Sequence, residues 1–204
     1  MRFLAKILCT CFIIAGLVIC VDVASDKRQL RENLIRLHVV GASNSEEDQR
    51  IKLRVRDAIV DKLSDVMQQI PDKETAKQYL KGKLQEIKEL ADALLQEAGV
   101  KDRCKVTLDW ESFDRRDYDT FSLPAGVYES LRVTIGEAEG KNWWCVVFPS
   151  LCLPATSQGF ADTAAGAGFS DTLTDTLTQE ENYTVRFFLL DCLGWLENWL
   201  FEIF

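Results

Sequence analysis

Leu34-Ile35-Arg36-Leu37-His38-Val39-Val40-Gly41-Ala42-Ser43-Asn44-Ser45-Glu46-Glu47-Asp48 reads as a strand, a break and the start of a helix. Leu34 to Val40 is apolar and β-branched with Arg36 and His38 alternating, which predicts a strand. Gly41-Ala42-Ser43 interrupts it. Ser43 or Ser45 caps the helix that follows, and Glu46, Glu47 and Asp48 occupy the first turn, where carboxylates complement the helix dipole. Ile51, Val55, Ala58, Ile59, Leu63, Val66, Met67 and Ile70 then recur at helical spacing as one apolar stripe. Pro71-Asp72 ends this helix and begins another, whose stripe is Ala76, Leu80, Leu84, Ile87, Ala91, Leu94, Leu95 and Ala98, with Gly99 as its stop. Two long amphipathic helices so closely joined are expected to pair antiparallel, and each needs a surface over its stripe. A sheet supplies that surface.

The strands for such a sheet lie downstream. Cys104 to Leu108 alternates, Tyr118 to Leu123 is a second run ended by Pro124-Ala125-Gly126, Val127 to Ile135 is a third, and Trp143 to Phe148 is the most apolar. Residues 154–182 are dominated by Ala, Gly, Thr, Ser and Asp and read as a flexible linker or loop. Tyr183, Val185, Phe187 and Leu189 alternate as a last strand, and Leu193, Leu196, Trp199, Leu200, Ile203 and Phe204 give a final helical stripe that Trp195 and Phe201 widen. The fold class is α/β or α+β: a single domain with a mixed or antiparallel sheet covered by two long amphipathic helices. Its units are a signal peptide or N-terminal anchor at 1–25, a domain at 26–153, the linker at 154–182, and a strand and helix at 183–204 that pack on the domain or on a partner.

The first residues set the compartment. Arg2 and Lys6 precede an uncharged run from Ile7 to Val21, ended by Asp22. A basic flank before such a run fits a signal peptide or short anchor, with the rest of the chain outside. Its 15 residues rise roughly 22 Å as a helix, short of a roughly 30 Å hydrocarbon core. Val23 and Ser25 would be the small residues of a cleavage site. The formal charge is −8, and the chain beyond Arg2 and Lys6 carries −10. This balance argues against nucleic acid and against anionic membrane surfaces as partners. Of seven cysteines, Cys104, Cys145, Cys152 and Cys192 lie outside the leader, and four cysteines allow three pairings. A Cys145–Cys152 bridge requires the chain to fold back at Phe148-Pro149.

The segment Asn142 to Cys152 is costly to leave in water, so it is core or a recognition surface. Trp143 and Trp144 point to opposite faces of a strand. Either both sheet faces are covered, or one Trp is an exposed binding anchor. His38 is the single His. No HExxH, CxxC, GxSxG or phosphate-binding Gly loop is present, so neither a metal nor a cofactor is expected. As a strand residue His38 is expected to be satisfied by backbone, Asn44 or Asp48. Glu46, Glu47 and Asp48 suit helix capping, and Asp57 suits local pairing beside Arg54 and Arg56.

Two stretches carry a resemblance. Ile35 to Gln49, followed by Lys52-Leu53-Arg54-Val55-Arg56-Asp57, resembles the signature of the stage II sporulation protein R family. So does Leu123-Pro124-Ala125-Gly126 with Tyr128-Glu129 and Leu131-Arg132-Val133, running into Gly136-Glu137 and the Asn142-to-Cys152 segment. The likeness spans roughly residues 33 to 153 in order and spacing. The family pattern after the His reads like Ala-Asn-Ser-Asp, where this chain has Gly41-Ala42-Ser43-Asn44; capping survives because Asn also caps well. Ser150 stands where the family has a second Pro.

The resemblance implies a signalling protein of an endospore former, and no enzyme. It would be exported from the forespore into the intermembrane space, or held there by its N-terminal segment. There it would activate a membrane-embedded aspartic protease that removes the pro-sequence of the early mother-cell sigma factor, sigma-E. On this reading His38, Ser43, Arg56 and Asp57 shape one region, with Asn44 and Asp48 beside it, and Trp143 and Trp144 shape another. The alternative is an extracytoplasmic hydrolase using Cys145 or Cys152 with His38. The C-terminal helix, through Trp195, Trp199, Leu200 and Phe204, either packs in the core or rests on a membrane or partner.

Overall fold

The computed structural model describes residues 2–151, 157–178 and 185–203. Helix α1 (Arg2–Asn33) leads directly into β1 (Ile35–Val40), followed by α2 (Glu46–Gln69) and α3 (Lys73–Glu97). Strands β2 (Cys104–Phe113), β3 (Arg116–Asp117), β4 (Ser122–Leu123), β5 (Gly126–Ile135) and β6 (Asn142–Phe148) come next. Helices α4 (Ser157–Gly166), α5 (Asp171–Thr178) and α6 (Val185–Ile203) close the chain.

The expected strand–helix–helix opening is present, and the caps explain its boundaries. The Ser45 side chain accepts from the Asp48 N–H at the start of α2, and Asp72 accepts from the Thr75 N–H at the start of α3. Helix α3 ends at the Gly99 turn, where Val100 N–H donates to Leu95 O. The main sheet is mixed, in the order β2-β5-β1-β6. Strand β1 runs parallel to β5 with Leu37 opposite Leu131, and antiparallel to β6 with His38 opposite Trp144. Strand β2 pairs antiparallel with β5, Leu108 opposite Leu131.

The sheet alternation sends two sets of side chains in opposite directions. Ile35, Leu37, Val39, Leu131, Val133, Cys145 and Val147 pack with the stripes of α2 and α3. Ile59, Leu80 and Ile87 are fully buried there, each contributing about 1.5–3 kcal/mol by removal from water. On the other face Phe113, Tyr128 and Val146 pack with Val23, Leu30 and Leu34 around the end of α1, and with Phe160, Leu173, Phe187 and Leu190 from α4, α5 and α6. Trp143 joins the first core and Trp144 the second, each half-buried, so both sheet faces are covered.

Several expectations are corrected. Tyr118–Leu123 is no full strand: β3 and β4 form a two-residue ladder around a turn in which Tyr118 stacks on Phe121 at 4.6 Å. The linker contains α4 and α5, because its sparse apolar residues, Phe160, Ala164, Phe169, Leu173 and Leu177, fall at spacings that bury one face of each helix. Residues 152–156 and 179–184 of the remaining stretches, Cys152 and Tyr183 included, lie outside the described residues. Val185 to Leu189 is helix, not strand. Its apparent alternation overlaps a helical series, Phe187, Leu190, Gly194 and Asn198, that faces the domain. The boundary expected between a leader at 1–25 and a domain at 26–153 falls inside α1, which runs on to Asn33 with Asp26 and Leu30 buried.

Candidate functional site

Strand β1 places His38 on the sheet face opposite α2 and α3. Its ring stacks on Trp144 of β6 at 3.7 Å between centroids, and Phe113 meets both rings edge-on. His38 Nδ1 donates to Glu111 Oε1 at 2.7 Å, and Nε2 lies 3.0 Å from Asn142 Oδ1. Strand β2 brings Glu111 to this point, and Arg132 of β5 reaches the same oxygen at 3.5 Å. Burial pushes the Glu111 carboxyl up, but the hydrogen bond and charge of His38, with Arg132, outweigh it and hold the group below its ordinary value. The imidazole is therefore satisfied on both nitrogens, by Glu111 and Asn142 rather than by the expected Asn44 or Asp48.

Arg36, two residues earlier on the same face, is fully buried. Its guanidinium lies 4.1 Å from the Phe113 ring centroid and donates to the Tyr118 hydroxyl at 2.8 Å, while Nε and Nη1 have no hydrogen-bond partner. The Phe113 and Tyr128 rings compensate part of its desolvation as cation–π faces.

Ser43, Asn44 and Asp48 form a separate group at the far end of β1. Ser43 Oγ donates to Asp48 Oδ2 at 2.5 Å, and Asn44 Oδ1 accepts from the Lys141 N–H at 2.9 Å. Lys52 Nζ donates to Lys141 O at 2.9 Å, and burial, then the Arg56 and Lys141 charges, hold its ammonium below its ordinary value. Gly140 lies so close that a Cβ there would stand 2.3 Å from Ser43 O. The turn after β1 and the loop before β6 thus lock together through backbone contacts.

Arg56 and Asp57 lie on α2, across the sheet from His38. They pair at 2.5 Å, and the Arg56 guanidinium lies 4.8 Å from the Trp143 ring centroid. The expected grouping is therefore rearranged: His38 belongs with Trp144, Arg56 with Trp143, and Ser43 with Asn44 and Asp48. Strand alternation is the cause, since one residue of displacement reverses the face.

The same alternation separates the proposed nucleophile from its base. Cys145 faces the α2–α3 core beside Leu37, 3% exposed and free, whereas His38 faces the other way. A Cys145–His38 pair is excluded by this geometry. The Cys145 thiol is also not bridged, and Cys152 lies outside the described residues. Among the described residues, no cluster of three or more His, Cys, Asp or Glu side chains is placed to hold a metal.

Sequence reasoning missed Glu111, Arg132 and Phe113 as partners of the signature. Extending the alternation of β2 beyond Leu108 would have put Glu111 and Phe113 on one face. Which strand stands beside β1 has no local signal.

A family model described as stage II sporulation protein R matches residues 31–158. Over 130 residues the chain is 35% identical to the stage II sporulation protein R of Bacillus subtilis (strain 168), an alignment that covers 64% of this chain and 58% of that relative. The chain thus spans less than two thirds of that relative's length. No solved structure matches.

Proposed function

Because the chain belongs to the stage II sporulation protein R family, we propose that it is an extracytoplasmic sporulation signal that activates a membrane-embedded aspartic protease and so triggers processing of pro-sigma-E. The family match across the whole sheet and both long helices carries this reading. It is supported by the site itself, in which Glu111 and Asn142 engage the two nitrogens of His38 and its ring stacks on Trp144. Such a cluster ties β1, β2 and β6 together beneath the second core.

Of the two readings of the leader, signal peptide or anchor, we propose the anchor. Residues Cys9–Asn33 are long and apolar enough to cross a membrane by length and composition. Helix α1 runs unbroken through the cleavage position after Ser25, and Val23, Asp26 and Leu30 on either side are buried in the domain. A peptidase would need this stretch unwound. The uncut helix would hold the domain at the outer membrane surface, where a membrane-embedded protease presents its extracytoplasmic parts.

Co-expression of the full chain with the sporulation aspartic protease and its pro-sigma substrate in a non-sporulating host tests the function. Conversion of the pro-form, dependent on this chain, is expected on an immunoblot. Equal conversion with and without the chain would overturn the proposal.

A further inference from the structure

Helix α6 exposes a long apolar stripe. Val185, Phe188, Trp195, Leu196, Trp199 and Ile203 are 44–73% exposed. They lie opposite Phe187, Leu190, Gly194 and Asn198, which face the domain. A stripe of this length and aromatic content marks a contact surface.

Its position says which. Strand β1 begins directly after α1, and β5 runs parallel to it, so both start at the end of the sheet where α1 enters. Phe113 and Gly126 are opposite each other at that same end. Helix α6 docks there. Asn198 Nδ2 donates to Phe113 O at 2.8 Å, and Asp191 Oδ1 accepts from the Ala125 N–H at 2.7 Å. Gly194 approaches so closely that a Cβ would stand 1.6 Å from Ala125 O.

Helix α6 also meets α1 over a short part of the length of α1. Arg186 pairs with Asp26 at 2.6 Å, while Glu197 pairs with Lys27 at 3.3 Å and Arg31 at 3.4 Å. Arg186 and Glu197 are separated by about 16 Å of helix, whereas their partners on α1 span only about 8 Å. So narrow a contact on α1 suits a helix that crosses the spanning segment and lies along the membrane plane. Asp26 is about 8 Å beyond Val21, the last residue of the uncharged run, which is less than one helix diameter. Asp191 and Glu197 are turned to the sheet and α1, leaving Glu202 as the acid outside those contacts on a stripe whose Trp side chains suit the headgroup region.

We propose that α6 lies in the plane of the membrane surface beside the exit of α1, with its Trp195–Trp199 stripe immersed at the boundary between headgroups and acyl chains. This rests on the reading of α1 as an uncut anchor. The pairing to α1 fixes the height of α6, and the acidic surface of the domain favours zwitterionic lipid over anionic lipid.

The test uses the full chain in nanodiscs of phosphatidylcholine, with and without brominated acyl chains. Bromine quenches indoles that reach the acyl boundary. Quenching is expected for the native chain, with at least about half of it lost in the W195F/W199F variant, whose substitutions are on the exposed face. If the chain stays on the disc while its quenching is unaffected by W195F/W199F, the stripe is free for a protein partner and the proposal is overturned. If the chain leaves the disc, the anchor reading fails and takes this proposal with it.

Discussion

Replacing His38 by Ala measures how far the signature holds the fold together. The change removes the 3.7 Å stack on Trp144 and the 2.7 Å bond to Glu111. The aromatic contact is worth about 0.5–1.5 kcal/mol. A hydrogen bond to a charged acceptor contributes about 1.5–3 kcal/mol. H38A should therefore lose about 2–4.5 kcal/mol, or roughly 5–15 °C in Tm for a chain of this size. Thermal unfolding of the full chain in one detergent, followed by tryptophan fluorescence, reads the shift. A double-mutant cycle with E111Q should give a coupling of about 1–3 kcal/mol, because the two side chains touch. The pH dependence has a definite sign. The folded Glu111 carboxyl is held below its ordinary value of 4.5, so its contribution is present above that value and is lost as pH falls through the lower folded value. H38A should flatten that acid limb. An H38A protein of unchanged Tm that no longer supports pro-sigma processing would refute the reasoning, since His38 would then act on a partner.

Glu129 is buried between Lys73, at 2.9 Å, and Lys77. Burial pushes its carboxyl up, and the two lysines more than reverse this. E129Q should cost about 2–4 kcal/mol at neutral pH and remove a loss of stability that sets in below 4.5 as pH falls; urea midpoints at pH 7 and pH 4 check both. Gly140→Ala should cost about 1–3 kcal/mol by driving a methyl group into Ser43 O, with faster hydrogen exchange at the Lys141 amide as its local mark; wild-type exchange there would contradict the loop lock. In the native chain Cys192 should alkylate while Cys104 and Cys145 resist, because both are buried and burial, helped by the Asp92 charge, pushes the Cys104 thiol up to about 12. Peptide mass mapping reads this directly, and native labelling of Cys145 would count against the packing of β6 on α2 and α3.

The helices of the first core were legible because their information is local. Ser45 and Asp72 cap, the stripes recur every three or four residues, and each boundary follows from neighbours in sequence. The second core was not legible. Phe160, Leu173 and Leu177 are diluted by small polar residues, and their helices form because the sheet's other face must be covered. Val185, Phe187 and Leu189 look like a strand, yet the helical face that begins among them buries Phe187 and Leu190.

The sequence alone determined a strand followed by two capped amphipathic helices, a strand with Trp on both faces, and an apolar leader ahead of an acidic domain. These follow from short-range periodicity and charge. Only the tertiary structure decided that His38 meets Glu111 and Trp144, that Arg56 meets Trp143, that Cys145 and His38 look away from each other, and that α6 pairs with Asp26, Lys27 and Arg31 of α1. The first three depend on which strands are neighbours and in what register, and that is settled by closing the sheet between two cores.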